Sequence, residues 1–166
     1  MTEPDRDAER MRTRDVIHRL LTDAGHELAR RPIHGFEDMT STGPADYRDG
    51  IPVARRVRDY AAGIVREYVE GARGAGVPWA ELAEPLGLKV GGGESAAERA
   101  FETAAPEPYD TWAPRSLRWR CETCGEMVTD TGPYNGHPDD CEEGHAATCE
   151  RHQAEIRAYR ASWDDE

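Results

Sequence analysis

The chain has 166 residues, 37% of them hydrophobic and 33% charged, with a net charge of −12 and a mean hydropathy of −0.82. No run approaches the ~20 apolar residues of a membrane span, and a surface this acidic repels nucleic acid unless basic groups cluster locally. The length allows one domain or two small ones around a modest core.

The charge is −3 over residues 1–50, −2 over 51–116 and −7 over 117–166. This surface is compatible with a basic protein partner. The opening decapeptide, MTEPDRDAER, is polar and lacks the apolar core of a secretory signal, so a reducing cytoplasmic setting is expected.

From Asp7 to Arg31, Met11, Val16, Ile17, Leu20, Leu21, Ala24 and Leu28 recur at three- and four-residue steps. That spacing predicts one amphipathic helix, packed on a neighbouring helix or serving as a dimer seam. Arg30 and Arg31 suit its C-terminus electrostatically, and Pro32 ends it. Residues 32 to 51 carry the breakers His34-Gly35, Ser41-Thr42-Gly43-Pro44 and Asp49-Gly50 and read as a loop, with Phe36 and Met39 tucked onto the core. Pro52 fits the first turn of a second long helix. Val53, Val57, Tyr60, Ala61, Ile64, Val65, Tyr68 and Val69 line one face of it, and Arg55, Arg56, Arg58 and Arg66 lie largely on the other. It should end near Gly74 or Gly76. A nucleic-acid binder would need Arg55, Arg56, Arg58, Arg66 and Arg73 as one surface clear of Asp59, Glu67 and Glu70.

Residues 75 to 104 place AGVPWAELAEPLGL before a glycine run and a second helical stretch, Glu94 to Ala104. This segment resembles the helix-turn-helix core of actinobacterial proteins, with a Trp-Ala-Glu-Leu helix and a Leu-Gly-Leu turn after a long arginine- and alanine-rich helix. Trp79, Leu82, Leu86 and Leu88 match the core positions of that family, and Gly87 matches its turn. The resemblance implies a tri-helical fold. Pro85 must end the first motif helix early or kink it. The would-be recognition helix carries Glu94, Glu98 and Glu102 against Arg99 alone, the reverse of what base edges and phosphates require. Residues 105 to 116, APEPYDTWAPRS, read as a semi-rigid linker, docked through Tyr109 and Trp112.

All four cysteines lie between Trp119 and His152. Cys121 and Cys124 form a C-x2-C pair that aims two thiolates at one ion, followed by Gly125 for the tight turn. Leu117–Arg120 and Glu126–Thr131 read as two strands around it, and Gly132-Pro133 stops the second. From an N-cap at Asp139 or Asp140 to about Trp163 the chain reads as helix. His145 and Cys149, four apart, would share one helical face. The expected site is a tetrahedral, structural Zn2+ held by Cys121, Cys124, His145 and Cys149. A site of all four cysteines, with Cys141 in a loop, is the alternative; His152 and His137 are reserves. The C-x2-C…GPY…GHP…GH-x3-C pattern is likewise similar to that of small actinobacterial proteins.

The expected fold class is mainly α: a helical, helix-turn-helix-like domain over 7–104, the linker, and a ββα zinc unit over 117–163. The expected function is non-enzymatic, a regulatory or adaptor role through a protein partner. A DNA-binding regulator using Arg55, Arg56, Arg58, Arg66 and Arg99 is the first alternative. A metal-dependent nuclease or hydrolase is the second, although no catalytic set can be placed.

Overall fold

A computed structural model describes residues 3–89, 91, 95–108, 110, 112–134 and 136–164. About half of the chain is helical, with six helices and sheets of two and three strands among the described residues. The chain divides into two compact units, residues 1–63 and 64–166.

The first unit opens with α1, Glu3–Asp23. The helix expected to reach Arg31 stops there. Gly25 takes φ of 83°, and the amides of Gly25 and His26 turn back onto the carbonyls of Thr22 and Leu21. This left-handed C-terminal turn suits glycine and ends the helix. Leu28 had matched the helical period, yet Leu28–Ile33 is strand β1, paired antiparallel with β2, Phe36–Pro44. His34-Gly35 is therefore the turn of a hairpin, and the expected loop over 32–51 is mostly strand. Each strand of a two-stranded sheet is an edge, so Pro32 opposite Thr40 is tolerated. Phe36 and Met39 remain exposed and do not tuck onto a core. The Arg31 guanidinium donates to the carbonyls of Pro44 and Ala45 and lies 4.7 Å from the centroid of the Tyr47 ring.

Helix α2, Tyr47–Gly74, begins ahead of Pro52. Asp46 precedes its first turn, accepting the backbone N–H of Arg48 at 2.9 Å and that residue's guanidinium. These Arg48 contacts hold the Asp46 carboxyl below its usual range. Pro52 thus sits inside the helix and not at its start, forfeiting the bond its N–H would make to the Arg48 carbonyl. Leu21 and Val53 are the buried apolar side chains among the described residues of this unit. The far end of α2 belongs to the second unit and finishes at Gly74, as expected.

The second unit has one core, to which Val69, Trp79, Leu82, Ala100, Phe101, Ala104, Leu117, Trp119 and Val128 all contribute. Helix α3 is a single turn, Trp79–Leu82, ended ahead of Pro85. Helix α4 is Ala96–Ala104, capped by the Ser95 hydroxyl, which accepts the Glu98 N–H. Glu94, placed in this helix from sequence, lies outside the described residues, as does Tyr109. Phe101 packs edge-on against Trp79, with ring centroids 5.2 Å apart. Trp112 is 91% exposed and docks nothing, whereas Arg115 donates to the Glu102 carbonyl at 2.9 Å. The helical segment and the cysteine-bearing segment therefore share their interior, and the boundary falls at 63/64, away from the proline-rich stretch.

The sheet of this unit runs β3-β4-β5: Leu117–Arg120, Met127–Asp130 and Glu142–Glu143. The single helix expected from 139 to 163 is broken into three pieces. Helix α5 is Pro138–Cys141, capped by His137 Nδ1 and not by Asp139 or Asp140. Strand β5 follows, and α6 begins only at Glu150 and runs to Asp164. Gly144 forces the break. Its φ is 108°, and a Cβ there would lie 2.5 Å from the Met127 carbonyl oxygen. No helix is long and apolar enough to cross a membrane among the described residues.

Candidate metal centre

The turn between β3 and β4 presents the first two ligand candidates. The Cys121 amide bonds to the Glu126 carbonyl at 2.9 Å, and the Gly125 amide returns to the Cys121 carbonyl at 2.8 Å. The other two come from outside any long helix. His145 follows β5 just past the turn at Gly144, and Cys149 directly precedes α6, its carbonyl accepting the Gln153 amide. The shared helical face expected for them does not exist, yet the break at Gly144 brings both to the knuckle.

The ligand atoms of Cys121, Cys124, His145 and Cys149 all lie within 4.8 Å of one another and could hold a metal ion. Cys121 Sγ and Cys149 Sγ are 3.9 Å apart; Cys124 Sγ and His145 Nδ1 are 3.7 Å apart. A tetrahedron with metal–sulfur bonds of about 2.3 Å has edges near 3.8 Å, so these two separations leave room for one metal ion. Cys121 and Cys149 are buried, and Cys124 and His145 are half-buried. Cys141, on α5, is outside this group, so the all-cysteine alternative is not assembled.

His145 reaches the centre through Nδ1 because its other nitrogen is fixed. Nε2 lies 3.0 Å from Glu142 Oε2. An outer carboxylate of this kind sets the tautomer and ring direction of a ligand histidine. Glu142 is held in turn by Arg73 and Arg151, and Arg151 lies 4.6 Å from the centroid of the Trp119 ring. Sequence reasoning missed this outer layer. It also missed Asp130, only 1% exposed, whose Oδ2 accepts Arg73 Nε at 3.1 Å, Trp79 Nε1 at 2.9 Å and Trp119 Nε1 at 3.1 Å. Oδ1 takes the Gly132 amide at 2.9 Å. The available signal was strand alternation: Val128 and Asp130 are both buried and share the face of β4 that meets the core.

His152 is not among the four. Its ring stacks on His145 with centroids 4.4 Å apart, and its Nε2 meets Asp139 Oδ1 at 2.8 Å. Glu142, His145 and His152 form a second close group. Two guanidiniums already neutralise Glu142 there, so a further cation would face Arg73 and Arg151. His137 caps α5 and packs edge-on against Tyr159. Arg73, one of the five arginines a nucleic-acid surface would need, is buried beneath Asp130 and Glu142. Arg55, Arg56, Arg58, Arg66 and Arg99 are exposed, with Arg58 bonded to Asp59. No family model, curated protein or solved structure matches the chain.

Without metal the thiols are unequal. Burial raises the Cys124 thiol, but the amides of Ala146 and Glu126 and the side chains of His145 and Cys121 outweigh it and lower the pKa to about 6. Burial raises Cys149, only partly offset by the His152 amide, with Cys124 and Cys121 raising it further. In this arrangement Cys124 favours the thiolate and Cys149 the thiol near neutral pH. Metal ligation needs thiolates. Metal uptake at pH 7 should therefore release protons, that of Cys149 among them, and affinity should fall as pH is lowered below 6. Calorimetry in buffers of different ionisation enthalpy measures the release; affinity unchanged from pH 5 to 8 would contradict this.

Glu142→Gln should weaken metal binding about 10–100-fold in chelator competition on folded protein. Cys141→Ser should leave affinity and stoichiometry unchanged. Loss of metal in Cys141→Ser, with retention in His145→Ala, would move the site to the four cysteines.

Proposed function

We propose that the protein is a zinc-stabilised, non-enzymatic regulator or adaptor that acts through macromolecular contacts, with a protein as its partner. One observation carries the reading: four protein donors converge, and the fourth, His145, is locked by Glu142. Three thiolates and an imidazole favour Zn2+ over harder cations, and a complete protein ligand set is the mark of a structural site. A catalytic zinc keeps one position for water. The ion's role in this reading is to close the knuckle, the turn after β5 and the start of α6 around one point.

Helix α4 exposes Arg99 and Glu102 beside a half-buried Glu98, and the chain carries −12 overall. Carboxylates so placed oppose a major-groove role for the helix-turn-helix-like segment. The exposed arginines of α2 are what a DNA-binding regulator would use instead, without Arg73. The test is metal analysis of the purified chain combined with fluorescence anisotropy on duplex DNA at about 150 mM salt, where exposed charges are screened beyond ~8 Å. One zinc per chain and no duplex binding are expected. Sequence-selective binding lost on Arg99→Ala would replace the adaptor reading with the DNA-binding one.

A further inference from the structure

The three thiols of the metal centre differ in access. Cys121 and Cys149 are buried, whereas Cys124 is half-buried in a turn whose neighbours Thr123 and Gly125 are exposed. Oxidation of a thiol follows thiolate character and access. Ligation makes thiolates of all three, so access decides which sulfur a dissolved oxidant meets first.

A second sulfur is at hand to trap the product. The ligand atoms of the four residues lie within 4.8 Å of one another, and disulfide sulfurs lie about 2.05 Å apart. Cys121 and Cys149 are held differently. Cys121 shares one turn with Cys124, closed by the Cys121 amide on the Glu126 carbonyl and the Gly125 amide on the Cys121 carbonyl. Cys149 lies at the start of α6 and meets that turn only around the ion. When the ion leaves, Cys121 stays beside Cys124 and Cys149 does not. We propose that the centre is a peroxide-sensitive switch, in which Cys124 is oxidised first and a Cys121–Cys124 disulfide then releases the ion.

The Cys124 thiolate attacks a hydroperoxide. The O–O bond breaks, leaving a sulfenic acid and a hydroxide or alkoxide. The Cys121 thiolate attacks the sulfenic sulfur, the S–S bond forms and hydroxide leaves. Two thiolates have given up two electrons, and the peroxide has taken both. His145 and Cys149 remain, two donors where zinc takes four, so the ion departs. A dithiol reductant reverses the oxidation by exchange. Cys121 belongs to the same core as Trp79 and Trp119, so release reaches the interior of residues 64–166. The switch rests on the zinc reading above.

Hydrogen peroxide added in about tenfold excess to the full zinc-loaded chain, with a chromophoric chelator present, tests it. Zinc should leave at least about tenfold faster than with chelator alone. The chain should lose two hydrogens in mass, with peptide mapping placing the disulfide at Cys121–Cys124. Dithiothreitol and zinc should restore the metal and the circular dichroism. Cys141→Ser should behave as wild type. Zinc retained in peroxide, release with a sulfinic acid and no disulfide, or a disulfide through Cys141 or Cys149 would each overturn the switch alone. A chain that holds no zinc before peroxide is added would overturn the zinc reading and the switch with it.

Discussion

Replacing Cys121 by serine should release the metal and unfold residues 64–166, not merely the cysteine-bearing segment. Cys121 is fully buried and belongs to the same core as Trp79, Phe101 and Trp119. Apparent zinc binding energy in small structural sites is about 10–16 kcal/mol near pH 7, comparable to or larger than the total stability of about 5–15 kcal/mol typical of a domain. The strands here are four, four and two residues long. Such a sheet cannot hold the knuckle against the turn before α6 by itself. Loss of the ion frees Cys149 and His145, and with them the register of α6 and the seat of Glu142. Circular dichroism of the Cys121→Ser chain should show loss of α4 and α6 together with the tertiary signal of Trp79 and Trp119. A chelated or Cys121→Ser sample that melts like the metal-loaded chain would refute the dependence.

Asp130→Ala should be nearly as damaging although Asp130 touches no metal. Its two oxygens satisfy Arg73, two indole N–H groups and the Gly132 amide. Removing one partner of a buried ion pair typically costs about 3–5 kcal/mol, and each buried donor left without an acceptor adds about 1–3. Arg73 would retain Glu142, so the charge is not wholly abandoned, but Trp79 and Trp119 would each bury an unpaired N–H. Asp130→Asn keeps an acceptor and should lose less. Urea unfolding of the metal-loaded chain reads the order: wild type, then Asp130→Asn, then Asp130→Ala least stable. Equal midpoints for Asp130→Ala and wild type would show that the buried network contributes nothing.

The parts of the site legible in the sequence were those encoded by short-range spacing. The C-x2-C turn and the strand Leu117–Arg120 depend on neighbours a few residues away. His145 and Cys149 do lie beside Cys121 and Cys124, but not for the expected reason. That reason assumed one helix, whereas Gly144 breaks the chain so that Glu142 and Glu143 can join β4. That pairing is made across more than ten residues, and local periodicity cannot register it. The same limit hid the hairpin 28–44, where Leu28 continued a helical period that Gly25 had already ended. Asp130 and Arg73 lie 57 positions apart, and no local pattern joins them.

The proposed centre holds one ion between Cys121, Cys124, His145 and Cys149. X-ray absorption at the metal edge of the zinc-loaded chain reads those ligands. Four-coordinate zinc with three sulfur ligands near 2.3 Å and one nitrogen near 2.0–2.1 Å is the expected result. Four sulfurs would bring Cys141 into the site, and a shell with two or more nitrogen or oxygen ligands would mean an open or different centre; either contradicts the assignment.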